Sequence, residues 1–175
     1  GTKEQIAAYG VPGIQKGKKC FVAISEASGG SDPARAISTR AVRKGDHYVI
    51  NGAKLWITAA GDADWGLVFA RTGVSTGGGI TASIVDRSMS GVSTSEIPVI
   101  RSYSPFEVHF DNVEVPVENR LGEENKGFEI CQKWLVHARL PYAAGVIGIA
   151  QAALGLAINW VKERETFRSR LAEQQ

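Results

Sequence analysis

The sequence predicts an α+β fold in which an antiparallel β-barrel or sandwich is followed by a long α-helix of a helical-bundle domain. From residue 19 to residue 117, short runs of β-branched and aromatic residues alternate with Gly, Asp, Ser or Pro, which is typical of strands and turns. From about residue 124 to residue 167, apolar residues recur at helical spacing. The change of pattern after Pro116 therefore separates the strand region from the helical region.

Short runs in the first region are predicted to be strands, and the polar segments between them are predicted to be turns. Asn51-Gly52 predicts a hairpin, because both residues tolerate positive φ. Lys44-Gly45-Asp46 predicts a second hairpin, and the polar, Gly-rich residues 72–79 predict an exposed loop. The predicted strands are FVAIS, AISTRAV, HYVIN, KLWIT, WGLVFAR, ITASIVD and VHFDNVEV.

The helical region is predicted to form one long helix, with Pro141 removing a single backbone hydrogen bond. Some forty residues of helix would extend over roughly 60 Å. Such a length indicates a bundle shared with further chain or with other subunits. Residues 140–158 are apolar enough to suggest a membrane span. Pro141, Tyr142 and Gln151 dilute that pattern, and no membrane insertion is expected.

Composition is typical of a soluble globular protein and disfavours several functional classes. The 175 residues are 43% hydrophobic and 22% charged, and a net charge of +2 gives no extended basic surface for nucleic acid. Cys20 and Cys131 form no metal-binding motif, and the three histidines lack metal spacing. Two distant cysteines favour a reducing compartment, hence the cytoplasm, or the mitochondrial matrix in a eukaryote.

Residues 1–10 contain neither an initiator Met nor an apolar signal-peptide core, so the chain is expected to be a fragment of a longer protein. Within it, Ser25 to Asp32 combine glycines with hydroxyls, and their backbone could approach a flat or phosphorylated ligand closely. An ordinary solvated loop has the same composition. Neither a GxGxxG nor a P-loop motif supports phosphate binding, and Trp56 alone is typical of a strand aromatic.

The order of six segments is more specific than any one of them: ISEASGGSD, KGDHYVINGAKLWIT, FDNVEVPVENRLGEENKGF, HAR, GIAQAAL and ERETF. Together they resemble the acyl-CoA dehydrogenase family over essentially the whole chain. The resemblance implies the tail of an N-terminal helical domain at residues 1–18, a middle β domain at 19–120 and the start of a C-terminal helical domain at 121–175.

The resemblance also implies an FAD site. By this resemblance, the strand ending at Ser25 is expected to run beside the pyrimidine side of the isoalloxazine with its hydroxyl near N5, Trp56 to stack on the ring and Thr58 to hydrogen-bond to it. Arg164 and Thr166 match family residues that reach the FAD pyrophosphate of a neighbouring subunit, so the resemblance implies a homo-oligomer, either dimer or tetramer. The implied cofactor-binding residues are Ala23, Ile24, Ser25, Gly30, Ser31, Trp56, Ile57, Thr58, Arg164 and Thr166; the substrate-binding residues are Ser31 and Arg139.

The family oxidises acyl-CoA thioesters in fatty acid β-oxidation, with a Glu taking the α proton while a hydride passes to flavin N5, and electrons then pass to electron-transfer flavoprotein. In most members that Glu lies beyond residue 175, and in others it occupies the position of Ala138, which cannot accept a proton. No catalytic residue is therefore expected here. Val136 replaces a polar substrate-contacting residue, which leaves acyl length open.

The same sequence features are compatible with three other functions. The parent protein could be an acyl-CoA oxidase or a flavin monooxygenase of the same fold. The chain itself could also be a non-catalytic binding or structural module that associates through its apolar helix.

Overall fold

The computed structural model describes residues 1–73, 78–100 and 103–174, and divides into two compact units. The first unit is Gly1–Cys131, and the second begins at Gln132. The domain boundaries implied at residues 18 and 120 remain a prediction. Residues 74–77 of the predicted loop lie outside the described residues.

A short helical segment opens the first unit, with α1 at Lys3–Gln5, a π turn at Ile6–Gly10 and α2 at Val11–Lys16. Thr2 caps it, because its hydroxyl accepts a hydrogen bond from the Gln5 backbone N–H at 3.2 Å and the Gln5 side chain accepts one from the Thr2 N–H at 3.1 Å. Gly17 ends α2 in the left-handed conformation, with φ +65°.

The strands of the first unit form one mixed sheet in the order β6-β7-β3-β2-β4-β5-β8, and β1 pairs parallel with β4. Across the described residues this path of pairings stays open, so the arrangement is sandwich-like and not a closed barrel. Together with the long helix described below, it confirms the predicted α+β fold. The bounds are β1 Cys20–Ala23, β2 Arg40–Lys44, β3 His47–Thr58, β4 Trp65–Arg71, β5 Ile80–Asp86, β6 Val92–Glu96, β7 Pro105–Pro116 and β8 Arg120–Leu121.

A single apolar cluster fills the centre of this unit, because the buried faces of the strands converge there. Tyr48 is buried within the cluster, and its hydroxyl donates to Glu124 Oε2 at 2.7 Å, so its polar end is satisfied. The cluster includes Phe21, Ala23, Tyr48, Ile50, Ile57, Val68, Val85, Val108, Phe110, Val113 and Val115.

The predicted hairpin at Lys44-Gly45-Asp46 is confirmed: β2 and β3 pair antiparallel, with Lys44 opposite His47, and Gly45 has φ +64°. The predicted hairpin at Asn51-Gly52 is wrong, because β3 runs without a break from His47 to Thr58. At this point the pairing of β3 with β7 shifts register, as two residues of β7 face one residue of β3. Gly52 adopts a positive φ of +143° beside this bulge, within a continuous strand and not in a turn.

The remaining elements are mostly helical. They are α3 at Pro33–Ala36, a 3₁₀ turn at Val117–Asn119, α4 at Gly127–Glu163, the strand pair β9 Glu165–Thr166 and β10 Ser169–Arg170, and a 3₁₀ turn at Leu171–Glu173. The long helix is confirmed, and it continues through Pro141. The predicted strand AISTRAV begins late, at Arg40, because Pro33–Ala36 is helical.

By length and composition, α4 satisfies the requirement for a membrane span. A core helix of a soluble bundle satisfies the same requirement. The apolar side chains of the helix are exposed in the described chain, among them Leu140, Val146, Ile149, Leu156 and Trp160.

Candidate functional site

Two segments that are distant in sequence lie side by side in the first unit. The backbone N–H of Leu55 donates to the carbonyl of Ser25 at 2.9 Å, and the ammonium of Lys54 donates to the carbonyl of Ile24 at 3.0 Å. These contacts join the end of β1 to the second half of β3. We call the surface formed by Ser25, Trp56 and Thr58 the aromatic–hydroxyl wall.

Trp56 has an unusual backbone, with φ +64°, in the left-handed region that bulky residues rarely adopt. It lies in a bulge of β3, because Lys54 faces Val108 and Ile57 faces Phe106, which leaves two residues of β3 opposite one of β7. The side chain is 56% exposed. An exposed aromatic in a strained conformation marks a position that the surrounding fold holds in place.

The neighbours of Trp56 divide between core and surface. Ile57 is only 2% exposed and packs into the apolar cluster, and Ala23 at the end of β1 is fully buried. Their side chains therefore support the wall, and only their backbones could meet a ligand. Ser25 is half-buried and Thr58 is exposed, so each of the two segments also presents a hydroxyl-bearing residue to solvent.

A buried ion pair that the sequence did not indicate lies directly behind the wall. Lys54 has 0% side-chain exposure and Glu26 has 4%, and the ammonium lies 2.9 Å from Glu26 Oε1. The carboxylate also accepts hydrogen bonds from the backbone N–H groups of Ser38 and Thr39, at 2.7 and 3.0 Å, and from the Ser38 hydroxyl. All buried side-chain polar atoms among the described residues have a partner.

The electrostatics of this pair follow from burial and from these contacts. Burial by itself would raise the pKa of Glu26, but the charge of Lys54 and the hydrogen bonds from Ser38, Lys54 and Thr39 lower that pKa to about 2. Burial lowers the pKa of Lys54, and the Glu26 charge offsets part of that effect. A lysine among apolar strand positions was the available sequence signal, since such a residue needs a carboxylate when it is buried.

The loop after Glu26 is folded back on itself. The backbones of Glu26 and Gly29 pair across Ala27-Ser28, with the Gly29 N–H donating to the Glu26 carbonyl at 3.1 Å. Gly30 and Ser31 are exposed, and a Cβ at Gly30 would meet nothing within 4 Å. A groove of about 250 Å³ lies beside the loop, lined by Glu26, Ala27, Ser28, Ser38, Ala53, Lys54, Leu55 and Glu107.

The other predicted site residues belong to the second unit and are described within it. Arg139 is exposed on α4. Arg164 follows the end of α4, where its N–H donates to the Trp160 carbonyl at 2.8 Å. Thr166 ends β9, and its hydroxyl accepts a hydrogen bond from Gln174 at 2.9 Å. The roles implied for these residues, as for those of the wall, remain predictions.

The middle-domain model of acyl-CoA dehydrogenases matches residues 20–113, and the C-terminal-domain model of acyl-CoA dehydrogenases matches residues 125–175. Members of this family are flavoproteins that bind FAD. The first model alone covers more than half of the chain.

Individual proteins of known name are also similar to this chain. The chain is 42% identical to "Caffeyl-CoA reductase-Etf complex subunit CarC" of Acetobacterium woodii, in a match that covers 100% of this chain and 47% of that protein. It is 41% identical to the short-chain specific acyl-CoA dehydrogenase of Clostridium acetobutylicum, over 95% of this chain and 45% of that protein.

A solved structure, butyryl-CoA dehydrogenase from Megasphaera elsdenii, is similar with a TM-score of 0.92 and 35% identity, covering 99% of this chain and 46% of that one. The chain thus spans less than half the length of these relatives. With both of its described units matched by domains of one family, the chain belongs to the acyl-CoA dehydrogenases.

Proposed function

We propose that the protein to which this chain belongs is an FAD-dependent acyl-CoA dehydrogenase that removes hydrogen across the α,β bond of an acyl-CoA thioester. The aromatic–hydroxyl wall carries the proposal: Trp56 is strained and exposed, and the residue before it, Leu55, is hydrogen-bonded to Ser25. FAD, when bound, accepts the hydride from the β carbon. Family membership supplies the independent support.

The wall fits a flat, polar-edged ring. The indole of Trp56 offers a planar face for stacking, and the hydroxyls of Ser25 and Thr58 offer hydrogen bonds at its border. Because Lys54 and Glu26 neutralise each other behind the wall, the ring would meet hydroxyls and an aromatic face and not an unpaired charge. Open space at Gly30 leaves room for a ligand near the loop.

The proton that leaves the α carbon needs a carboxylate within hydrogen-bond reach. Ala138 cannot supply it, so we place the base outside this position of α4. The proposal includes an acyl-CoA substrate, with Ser31 and Arg139 on its side of the site. It includes no assignment of acyl length, since Val136 departs from the polar residue of related enzymes.

The proposal also covers the redox partner, the assembly, the metabolic role and the location of the protein. We infer that electron-transfer flavoprotein is the redox partner, because a relative 42% identical to this chain is named as a subunit of a reductase–Etf complex. That name describes a reduction; the same site chemistry can run in either direction, since forward and reverse reactions share a transition state. A homo-oligomer, a role in fatty acid β-oxidation and a cytoplasmic or mitochondrial-matrix location complete the proposal.

An FAD titration followed by flavin fluorescence tests the wall. We expect the wild-type chain to bind FAD and Trp56→Ala to weaken binding about tenfold, which is about 1.4 kcal/mol of lost stacking and burial. Trp56→Phe keeps an aromatic face and is expected to retain most of the affinity. Trp134→Ala, which removes an exposed indole of the second unit, is the control and is expected to bind like the wild type.

Two outcomes would count against the proposal. Equal affinity for Trp56→Ala and wild type would remove the indole from the site, and absence of binding by the wild type would remove the support that this chain gives to an FAD function. If bound flavin, once reduced, were reoxidised by air within the mixing time, an oxidase or monooxygenase of the same fold would replace the dehydrogenase.

A further inference from the structure

We propose that Glu26 and Lys54 are positioning residues: their buried ion pair fixes the left-handed backbone of Trp56, and so the orientation of its indole, relative to Ser25. The consequence for flavin affinity rests on the proposed function. The consequence for the indole itself does not, since it concerns only contacts within the chain.

Burying the charges of Lys54 and Glu26 costs solvation free energy, and both charged groups are hydrogen-bonded within the fold. The Lys54 ammonium reaches two acceptors, the Ile24 carbonyl at 3.0 Å and Glu26 Oε1 at 2.9 Å, and the Glu26 carboxylate receives three further donors from Ser38 and Thr39. Replacing such a pair by neutral residues of similar volume often leaves stability unchanged or raises it. Stability alone therefore does not account for two charges at this depth.

The position of Lys54 in the sheet suggests the role. Lys54 is the last residue of β3 in register before the bulge, facing Val108, and the pairing resumes only at Ile57. From Lys54 a side chain crosses to the end of β1, and the next backbone N–H, that of Leu55, donates to Ser25. The bulge that contains Trp56 therefore begins directly after Lys54, which is restrained by pairing with β7 through its backbone and by contacts to the end of β1 through its side chain.

Strained backbone persists only where the surroundings determine it. The ladder with β7 lapses across Leu55 and Trp56, so the restraint on Trp56 comes from its flanks: Ile57 in the core on one side, and Lys54 with its link to the β1 end on the other. Removing the ammonium breaks the link to Ile24 and Glu26 together. The backbone at Trp56 would then be free to relax towards ordinary strand dihedral angles.

Fluorine NMR of the chain labelled with 5-fluorotryptophan measures this directly, because its four tryptophans give one resonance each, assignable through Trp→Phe variants. The test variants are Lys54→Met, Glu26→Gln and the double variant. Lys126→Met, which removes an exposed ion pair of 3.0 Å to Glu129, is the matched control. Spectra are recorded well below the unfolding midpoint of each variant.

We expect the Trp56 resonance to shift or broaden in Lys54→Met and in the double variant, while the other three resonances and the whole control spectrum stay unchanged. The double variant leaves no unpaired buried charge, so it keeps the test valid if a single variant fails to fold. A Trp56 resonance of wild-type position and width in the double variant would overturn the proposal. A joint shift of all four resonances would also overturn it, because that marks a change of fold.

FAD titration of the same proteins separates this inference from the proposed function. If both hold, Lys54→Met binds FAD at least threefold more weakly than Lys126→Met. If the wild type binds no FAD, the proposed function loses its support from this chain, while the fluorine comparison still decides whether the pair positions Trp56.

Discussion

At the scale of single residues, the wall owes its form to one strained residue and to the charges behind it. Trp56 and Thr58 were assigned from the LWIT segment by family resemblance, but the positive φ of Trp56 arises from a bulge that only the pairing with β7 creates. Glu26 and Lys54 were missed for a related reason. A sequence shows that both charges exist, but only the fold brings residues 28 positions apart into contact.

Glu26 gives the protein a stability that depends on acid pH. Its folded-state pKa of about 2 lies below the ordinary value of 4.5, so its contribution is present above about pH 4.5 and is lost as the pH falls towards 2. The difference corresponds to about 3 kcal/mol of unfolding free energy. Urea unfolding between pH 6 and pH 3 is expected to show a decrease in the wild type that is smaller in Glu26→Gln, where only the other carboxylates with lowered pKa, such as Asp64, still titrate.

The control for this measurement is Asp62→Asn, which removes an exposed carboxylate 3.6 Å from the Lys19 ammonium. We expect its stability to follow the wild-type pH dependence. If Glu26→Gln loses stability with acid as steeply as the wild type, Glu26 is not the group that titrates.

At the scale of elements, the second half of β3 carries Trp56 and Thr58 and so determines the position of the site. Strand β3 is longer than the sequence suggested, because Asn51-Gly52 was interpreted as the end of one strand and the start of another. In the fold, the Asn51 side chain accepts a hydrogen bond from the Asn112 N–H at 2.9 Å, across the bulge in β7 where Asn112 has φ +49°. Turn-forming residues thus also serve a bulge, and local sequence does not distinguish the two.

Gly52 is required by this bulge. Its φ of +143° excludes most side chains, and a Cβ would lie 2.8 Å from the Cα of Thr39. We expect Gly52→Ala to lower the unfolding free energy by about 3 kcal/mol, combining backbone strain and overpacking. Urea unfolding measures it, with Gly30→Ala as the control, since a Cβ there meets nothing within 4 Å. A loss of less than about 1 kcal/mol would show that β3 adapts at this point.

Hydrophobic periodicity predicted the long helix but not the polar edge strand. The long helix was predicted from apolar spacing and is present as α4, because 3.6-residue periodicity over dozens of residues has few alternatives. The edge strand β6, with sequence VSTSE, was not predicted, since it is mostly polar and lacks an apolar strand pattern. Its extended conformation is stabilised by backbone pairing with β7.

At the scale of the whole molecule, the two units differ in how well they cover their apolar surfaces. The first has a closed core that includes Tyr48 and Phe110. The second is dominated by a helix whose large apolar side chains are exposed in the described chain. Composition indicated a globular protein and the helical pattern indicated a bundle, but which surfaces cover α4 depends on chains that a single sequence does not specify.

These exposed side chains predict self-association. Leu140 and Ile149 are 76% and 73% exposed on α4, and burying such surfaces between copies is favourable. Sedimentation velocity is expected to show a sedimentation coefficient that rises with concentration, and Leu140→Glu/Ile149→Glu is expected to abolish the rise. Ile14→Glu, which changes an exposed apolar residue of the first unit, serves as control. A monomer at every concentration would contradict the prediction.

Mapping the FAD-binding surface residue by residue decides whether flavin binds at the aromatic–hydroxyl wall. In ¹⁵N-labelled protein titrated with FAD, we expect the amide resonances of Ser25 and Thr58 and the indole N–H resonance of Trp56 to shift first and furthest. Shifts centred on another surface, with these three resonances unchanged at saturation, would contradict flavin binding at the wall.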